Sequence, residues 1–298
     1  MTSNTTEDAA GDLPAGQQGD LHDMPGTSHV PGESGVRDAA GTSGDQPGAA
    51  LGPVGTPGIR PVGTPAQGRG LPLRARVATS VSKTAAALSR VAGRGDGSVI
   101  GGWIGLKIDP ELLTHLAAGR QVALVSGTNG KTTTTRLTAA AMGVLGDVAT
   151  NSLGANMPTG HTSALARAGY TPYAVLEVDE HYLDEVMAAT TPHVVALLNL
   201  SRDQLDRAKE VAMMASSWRD ALRGLDIRIV ANADDPMVVW AARDSATVWV
   251  ASGQRWHDDS WVCPECGSRI ERSGEEWWCT TGDLRRPLPQ WEVRDGGV

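Results

Sequence analysis

Between residues 121 and 252 the chain carries five short runs that are apolar almost throughout: QVALVS (121–126), YAVLEV (173–178), HVVALLNL (193–200), IRIVAN (227–232) and TVWVAS (247–252). Helical patterns lie between them at 131–145, 180–189, 203–223 and 235–243. A strand with one face in water alternates apolar and polar residues, whereas a run that is apolar at every position suits burial on both faces. This order predicts an α/β fold, an open and mostly parallel sheet flanked by helices. Ligands of such sheets gather at the carboxyl ends of the strands, so chemistry is expected just after each run.

The first run is followed by SGTNGKTTTTRL (126–137), which opens a helix. The N–H groups of a glycine-bearing turn at a helix N-terminus form an anion cradle, and a following Lys-Thr pair supplies a point charge and a hydroxyl for Mg²⁺. This is a nucleotide phosphate loop. The generic pattern GxxxxGK[ST] wants glycine at 125, where Val125 stands, so the signature is the narrower Gly127-Thr128-Asn129-Gly130-Lys131-Thr132.

Residues 1–72 have no apolar periodicity and are rich in Gly, Pro, Ser, Thr, Ala and Asp, with PVGTP at 53–57 repeated at 61–65. Such a segment buries too little apolar surface to offset its ordering entropy, and a disordered tail is expected. Eight acids and three arginines give it a net −5 of the chain's −8, so the remainder is only mildly acidic. No basic face for nucleic acid is evident. The start lacks the basic and apolar regions of a secretory signal, and no apolar run is long enough to span a membrane. Residues 71–94 read as a basic, Ala-rich helix, expected to pack on the domain, with a membrane-surface helix as the alternative. In KIDPELLTHLAAGR (107–120) Asp109 reads as an N-cap with Pro110 at the first helical position.

All three cysteines fall in CPECGSRIERSGEEWWCTTGDLRRP (263–287). Cys263-x-x-Cys266, twelve residues, then Cys279-x-x-Gly282 has zinc-ribbon spacing with one thiolate missing. Nothing here suggests a disulfide framework, and a cytoplasmic protein is the default.

GTNGKTTTT looks like the ATP loop of the Mur ligases and folylpolyglutamate synthases. With NSLGANMPTG (151–160), VLEVDEHYL (175–183), LLNLSRDQLDR (197–207), ANADDPMVVWAA (231–242), CPECG and LRRP, the chain resembles the Mur-ligase-like subunits of lipid II isoglutaminyl synthase from about residue 71 to 291. The resemblance implies a Mur-ligase central domain at 73–254, a zinc-ribbon-like insertion at 255–291, and a short end at 292–298 in place of the family's C-terminal domain.

The implied activity is ATP-dependent amidation: the α-carboxylate of D-glutamate in lipid II becomes an acyl phosphate, and ammonia from a partner glutaminase subunit converts it to D-isoglutamine. The partners implied are that glutaminase, in a heterodimer, and lipid II at the inner membrane face, where a peripheral contact is expected. The cofactors implied are ATP and Mg²⁺. The resemblance assigns Gly127, Thr128, Asn129, Gly130, Lys131, Thr132 and Thr133 to the phosphates, with Lys131 against the β- and γ-phosphates. Thr132 and Glu177 are the implied magnesium ligands; Asp179 and Glu180 are the neighbouring acids. Asn232 and Asp235 are assigned to the nucleoside end, with a helix cap by Asp234 as the plain alternative at that turn. Lys131, Glu177 and Asp203 form the catalytic set. Asp203, like Asn199 and Asp206, can equally be a cap or turn residue.

Mur ligases that add amino acids carry Asp-His where this chain has Asp203-Gln204, and Lys209 is not assigned their carbamoylated-lysine role. Asn156 and its neighbouring glycines read as substrate-cleft or structural loop, and His161, His181 and His193 as surface or packing residues. Two other readings stay open, a different Mur-type or folylpolyglutamate-type amino-acid ligase and an ATP-binding remnant without catalysis. For Cys263, Cys266 and Cys279, with Asp283, His257 or water as substitute fourth ligand, zinc is expected to bind weakly or not at all.

Overall fold

In the computed structural model the central strands are built from the runs just described, and the chain order becomes a sheet order. Residues 70–91, 93, 98–151, 155–202, 208–254 and 257–293 are described, so 1–69, nearly all of the expected tail, lies outside the described residues. Leu71, assigned to that tail, instead packs against the core. Three helices lead, α1 (Leu73–Val91), α2 (Ser98–Ile108) and α3 (Leu112–Ala117). There follow β1 (Gln121–Ser126), α4 (Lys131–Met142), β2 (Val148–Thr150), α5 (Pro158–Ala168) and β3 (Tyr173–Val178). A 3-10 turn (Glu180–Tyr182) leads into α6 (Leu183–Thr190), β4 (Val194–Leu197), α7 (Ala208–Leu222), β5 (Arg228–Asn232), α8 (Pro236–Ala242) and β6 (Thr247–Ala251). A hairpin of β7 (Ile270–Ser273) and β8 (Glu276–Cys279) precedes β9 (Trp291–Glu292).

The main sheet has the order β2-β3-β1-β4-β5-β6-β9, with every pair parallel. β1 lies between β3 and β4, and Val125 is level with Glu177 on one side and Ala196 on the other. Parallel crossovers are right-handed, so the leftward step from β1 to β2 puts α4 on one face and the rightward steps put α5 to α8 on the other. The second face holds the main core, including Leu124, Leu176, Leu197, Trp218, Leu222 and Ile229.

The expectation of strands buried on both faces holds for β3 and the end of β1, and is corrected for β4, β5 and β6. β4 and β5 alternate buried with half-buried positions, and β6 is half-buried along most of its length. The cause is the reach of α4, which packs against β1, β2 and β3. Beyond it Ala123, Val194, Ala196, Val230 and Val250 line a cleft of about 540 Å³.

Two helices were not read from the sequence. α2 is SVIGGWIGLKI, whose glycines give no amphipathic signal. α5 begins inside the segment taken for a cleft loop, with Pro158 in its first turn, so Gly160 is a buried helix residue. Both depend on close approach: α1 turns Ala75, Ala78, Ser82, Ala86 and Ser89 inward, and α2 packs on α1 and α5. A third correction concerns Asp109, which precedes α3 by a turn. Its Oδ1 accepts from the Glu111 amide at 3.2 Å and its Oδ2 lies 3.0 Å from His115 Nδ1, while the helix cap position is Glu111.

A Cβ on Gly102 would collide with the Thr159 carbonyl of α5. Gly102→Ala is therefore expected to lower unfolding stability by about 1–3 kcal/mol through overpacking, read as a lower urea midpoint at unchanged slope. An unaltered midpoint would mean that α2 and α5 are not this close.

Candidate functional site

The loop after β1 is held from both sides. Ser126 Oγ donates to the Val178 carbonyl at 3.0 Å, tying the end of β1 to β3. Gly127 and Gly130 have φ of +145° and +82°, which side-chain-bearing residues rarely adopt. The Thr128 amide donates to the Asn199 carbonyl and the Asn129 amide to Asn199 Oδ1, each at 2.9 Å. Asn199 Nδ2 returns a bond to the Asn129 carbonyl at 3.0 Å, and Thr128 Oγ1 accepts from the Ser201 amide at 3.0 Å. Asn199, read as a cap or turn residue, is thus the clamp of the loop. The first amides of α4 at Lys131, Thr132 and Thr133 have no intrahelical acceptor, and the helix dipole makes that end an anion site.

Lys131 Nζ lies 3.0 Å from Glu180 Oε2 and donates to the Thr128 carbonyl at 3.1 Å. The three acids at the end of β3 have three different roles. Asp179 accepts from the His181 amide at 3.1 Å and starts the 3-10 turn, while Glu180 pairs with Lys131. Glu177 is buried; its amide donates to Asn151 Oδ1 at 2.8 Å, and its carbonyl accepts from Asn151 Nδ2 at 2.8 Å and His161 Nε2 at 2.7 Å. Its Oε2, by contrast, is buried with no hydrogen-bond donor. A carboxylate oxygen in that condition is costly unless a cation answers it, and a hard divalent ion is the matching chemistry. His161 is fully buried and burial pulls its pKa down to about 4, so it is neutral, in accord with a packing role.

Beside the loop is a pocket of about 550 Å³, lined among others by Asn129, Asn199, Asn232, Asp234, Asp235 and Ser252. It opens at the carboxyl ends of β1, β4, β5 and β6. Asn232 Oδ1 accepts from the Asp234 amide at 2.9 Å. The cap of α8 is Asp235, not Asp234: its Oδ1 accepts from Met237 at 2.9 Å and Val238 at 3.3 Å. Its Oδ2 accepts from the Leu200 amide at 2.9 Å, which fixes the residue next to the clamp. The carboxylate expected at the nucleoside is thus engaged by three amides. Asp234 Oδ2 accepts from the Ser252 and Gly253 amides, each at 2.9 Å, and its Oδ1 pairs with Arg286 at 2.9 Å. Arg286 was missed; the only signal was the LRRP match. Asp203, Asp206 and Gln204 lie outside the described residues.

The hairpin β7–β8 has its own core of Cys263, Ile270, Trp277, Cys279 and Leu284, which joins Val239 of α8. Trp277 Nε1 donates to the Ala233 carbonyl at 3.1 Å. The thiols of Cys263, Cys266 and Cys279 lie within 4.8 Å of one another, an arrangement that fits three corners of a tetrahedral zinc site. Burial raises the Cys263 thiol to about 11, while hydrogen bonds from Ser268 lower Cys266 to about 7. A Cβ on Gly282 would stand 3.5 Å from Cys279 Sγ and 3.7 Å from Cys266 Sγ, so the backbone keeps the fourth corner. The substitute ligands are corrected: Asp283 is 3.1 Å from Arg243, and neither it nor His257 joins the thiol cluster among the described residues.

Residues 125–262 match the Mur ligase middle domain. The chain is 33% identical over 214 residues to the lipid II isoglutaminyl synthase (glutamine-hydrolyzing) subunit MurT of Staphylococcus aureus, covering 67% of this chain and 48% of that protein. It is 37% identical over 149 residues to the subunit of the same name in Streptococcus pneumoniae, covering 48% of this chain and 33% of that one. The chain thus spans at most about half the length of these relatives. Among solved structures it is similar to a pseudomurein peptide ligase type C from Methanothermus fervidus, with TM-score 0.46, 19% identity, and 59% of this chain and 39% of that chain covered.

Burial raises Asp235 from 3.8 to about 6 against the opposing pull of its amide donors. A raised folded pKa contributes stability that is complete below the unfolded value and is lost as pH rises through the folded one. The melting-temperature difference between the unaltered chain and Asp235→Asn is expected to shrink between pH 4 and pH 6; a difference that grows there would mean that the amides dominate. At the hairpin, Gly282→Cys is expected to retain stoichiometric zinc through mild chelation, by metal analysis, where the unaltered chain loses it.

Proposed function

We propose that this chain, whose residues 125–262 match the Mur ligase middle domain, is the ATP-binding, ligase-type subunit of a lipid II isoglutaminyl synthase. The reaction is ATP-dependent amidation. The α-carboxylate of D-glutamate in lipid II attacks the γ-phosphorus and ADP leaves; ammonia, released from glutamine by a partner glutaminase, then displaces phosphate from the acyl phosphate to give D-isoglutamine. The names of the Staphylococcus aureus and Streptococcus pneumoniae relatives support the substrate and the glutamine source.

The observation that carries the reading is the clamped loop at the N-terminus of α4, with Lys131 in its first turn and the unpartnered Glu177 oxygen at the end of the adjacent strand. Mg²⁺, when bound, would be held by Thr132 and Glu177 and would neutralise charge on the phosphate oxygens. Lys131 exchanges Glu180 for the β- and γ-phosphates. The amides of Gly130 to Thr133 take phosphate oxygens, and the Asn199 clamp fixes the loop before the nucleotide arrives. Such prior orientation is the main service a protein renders to phosphoryl transfer.

The pocket beside Asn232 is within the size range of small-ligand sites, and we assign it the nucleoside end. Asp235 serves by position, holding Leu200 against α8. The catalytic set retains Lys131, Glu177 and, from outside the described residues, Asp203.

With a glutaminase subunit, lipid II, glutamine and ATP, mass spectrometry is expected to show an amidated product, and Lys131→Ala to lower its rate roughly 100-fold, the scale of losing one charge-stabilising group. ATP binding that survives Lys131→Ala unchanged would refute the phosphate-loop assignment. Amidation of no lipid-linked substrate, with an amino acid joined instead, would refute the reaction.

A further inference from the structure

The inner stripe of α1 is small and its outer stripe is large. Ala75, Ala78, Ser82, Ala86 and Ser89 are buried, while Leu73, Val77, Val81, Leu88 and Val91 are exposed, Leu88 at 64% and Val91 at 87%. This reverses the usual amphipathic helix, whose large apolar residues face the core. α2 repeats the pattern: its buried positions are glycines, and Ile100 and Trp103 are exposed, at 40% and 55%. Lys107 sits over the Trp103 ring at 5.6 Å.

The charge of this helical pair is equally one-sided. The two helices hold five Lys and Arg and no acid, in a chain of net charge −8. Arg76, Lys83 and Arg90 are spaced by sevens, so they form one row along α1 beside the apolar stripe. Two copies meeting through this face would bring like charges together. An anionic lipid surface answers both features, taking the apolar side chains below its headgroups and the cations at their level.

We propose that the outward face of α1 and α2 docks this protein on anionic bilayers. The inference stands independently of the ligase reading, although a lipid-linked substrate would put both at the same surface. Neither helix is long and apolar enough to cross a membrane, so the contact is peripheral.

The test is sedimentation of the full chain with phosphatidylcholine vesicles, with and without phosphatidylglycerol. Binding is expected only with the anionic lipid and is expected to weaken as salt rises. Lys83→Gln should lower partitioning about fivefold, the scale of one cation at a charged surface. Leu88→Asp with Trp103→Asp should abolish it, with an unchanged melting temperature showing that the fold persists. A chain that stays in the supernatant, sediments equally with neutral vesicles, or binds undiminished after these substitutions would overturn the proposal. So would a dimer dispersed by Leu88→Asp in the absence of vesicle binding.

Discussion

The adjacent carboxylates of Asp234 and Asp235 take their hydrogen bonds from four separate parts of the chain, and the pocket keeps its shape through them. Asp235 holds the end of β4, through Leu200, to the first turn of α8. Asp234 holds the end of β6, through Ser252 and Gly253, to Arg286 after the hairpin. Buried carboxylates are costly when unanswered, and a network of this kind is valuable only when every member is satisfied. Here both oxygens of both acids are engaged. The cost of burial still shows at Asp235, whose pKa is raised despite three donors.

The other half of the cleft depends on sheet order. Because β1 lies between β3 and β4, the loop after β1 has the end of β3 on one side and residues 198–201 on the other. Asn199 mimics a strand edge toward the loop, donating and accepting with its side chain as well as its backbone. On the opposite side Asn151 and His161 saturate the backbone of Glu177 and leave its buried carboxylate with one unpartnered oxygen. Stability at the backbone and unmet demand at the side chain occur in one residue.

Much of this was legible because parallel strands have few ways to satisfy themselves. The five central strands, the phosphate loop and helices α4, α6, α7 and α8 carry local signals: apolar runs, a glycine turn and helical spacing. α2 and α5 do not, since their helicity follows from glycines that let backbones meet, a tertiary cause. β2, with three residues, and β9, with two, are too short to stand out. The cap of α8 was read at Asp234 instead of Asp235 because either can cap a helix that begins with Pro236; the tertiary partners Leu200 and Arg286 separate the two. Asn199 was underestimated for the same reason, its partners being 70 residues away.

The hairpin has a consequence of a different kind. Its apolar residues run into α8 through Val239 and Trp240 and into β6 through Trp249, and Arg286 ties its exit to the floor of the pocket. A small domain that relies on coordination for its fold melts when its ion is withdrawn. This one also buries Trp277, Ile270 and Leu284. With glycine at the fourth corner of the thiol set, these apolar side chains carry the hairpin's packing onto α8 and make it a buttress of the cleft.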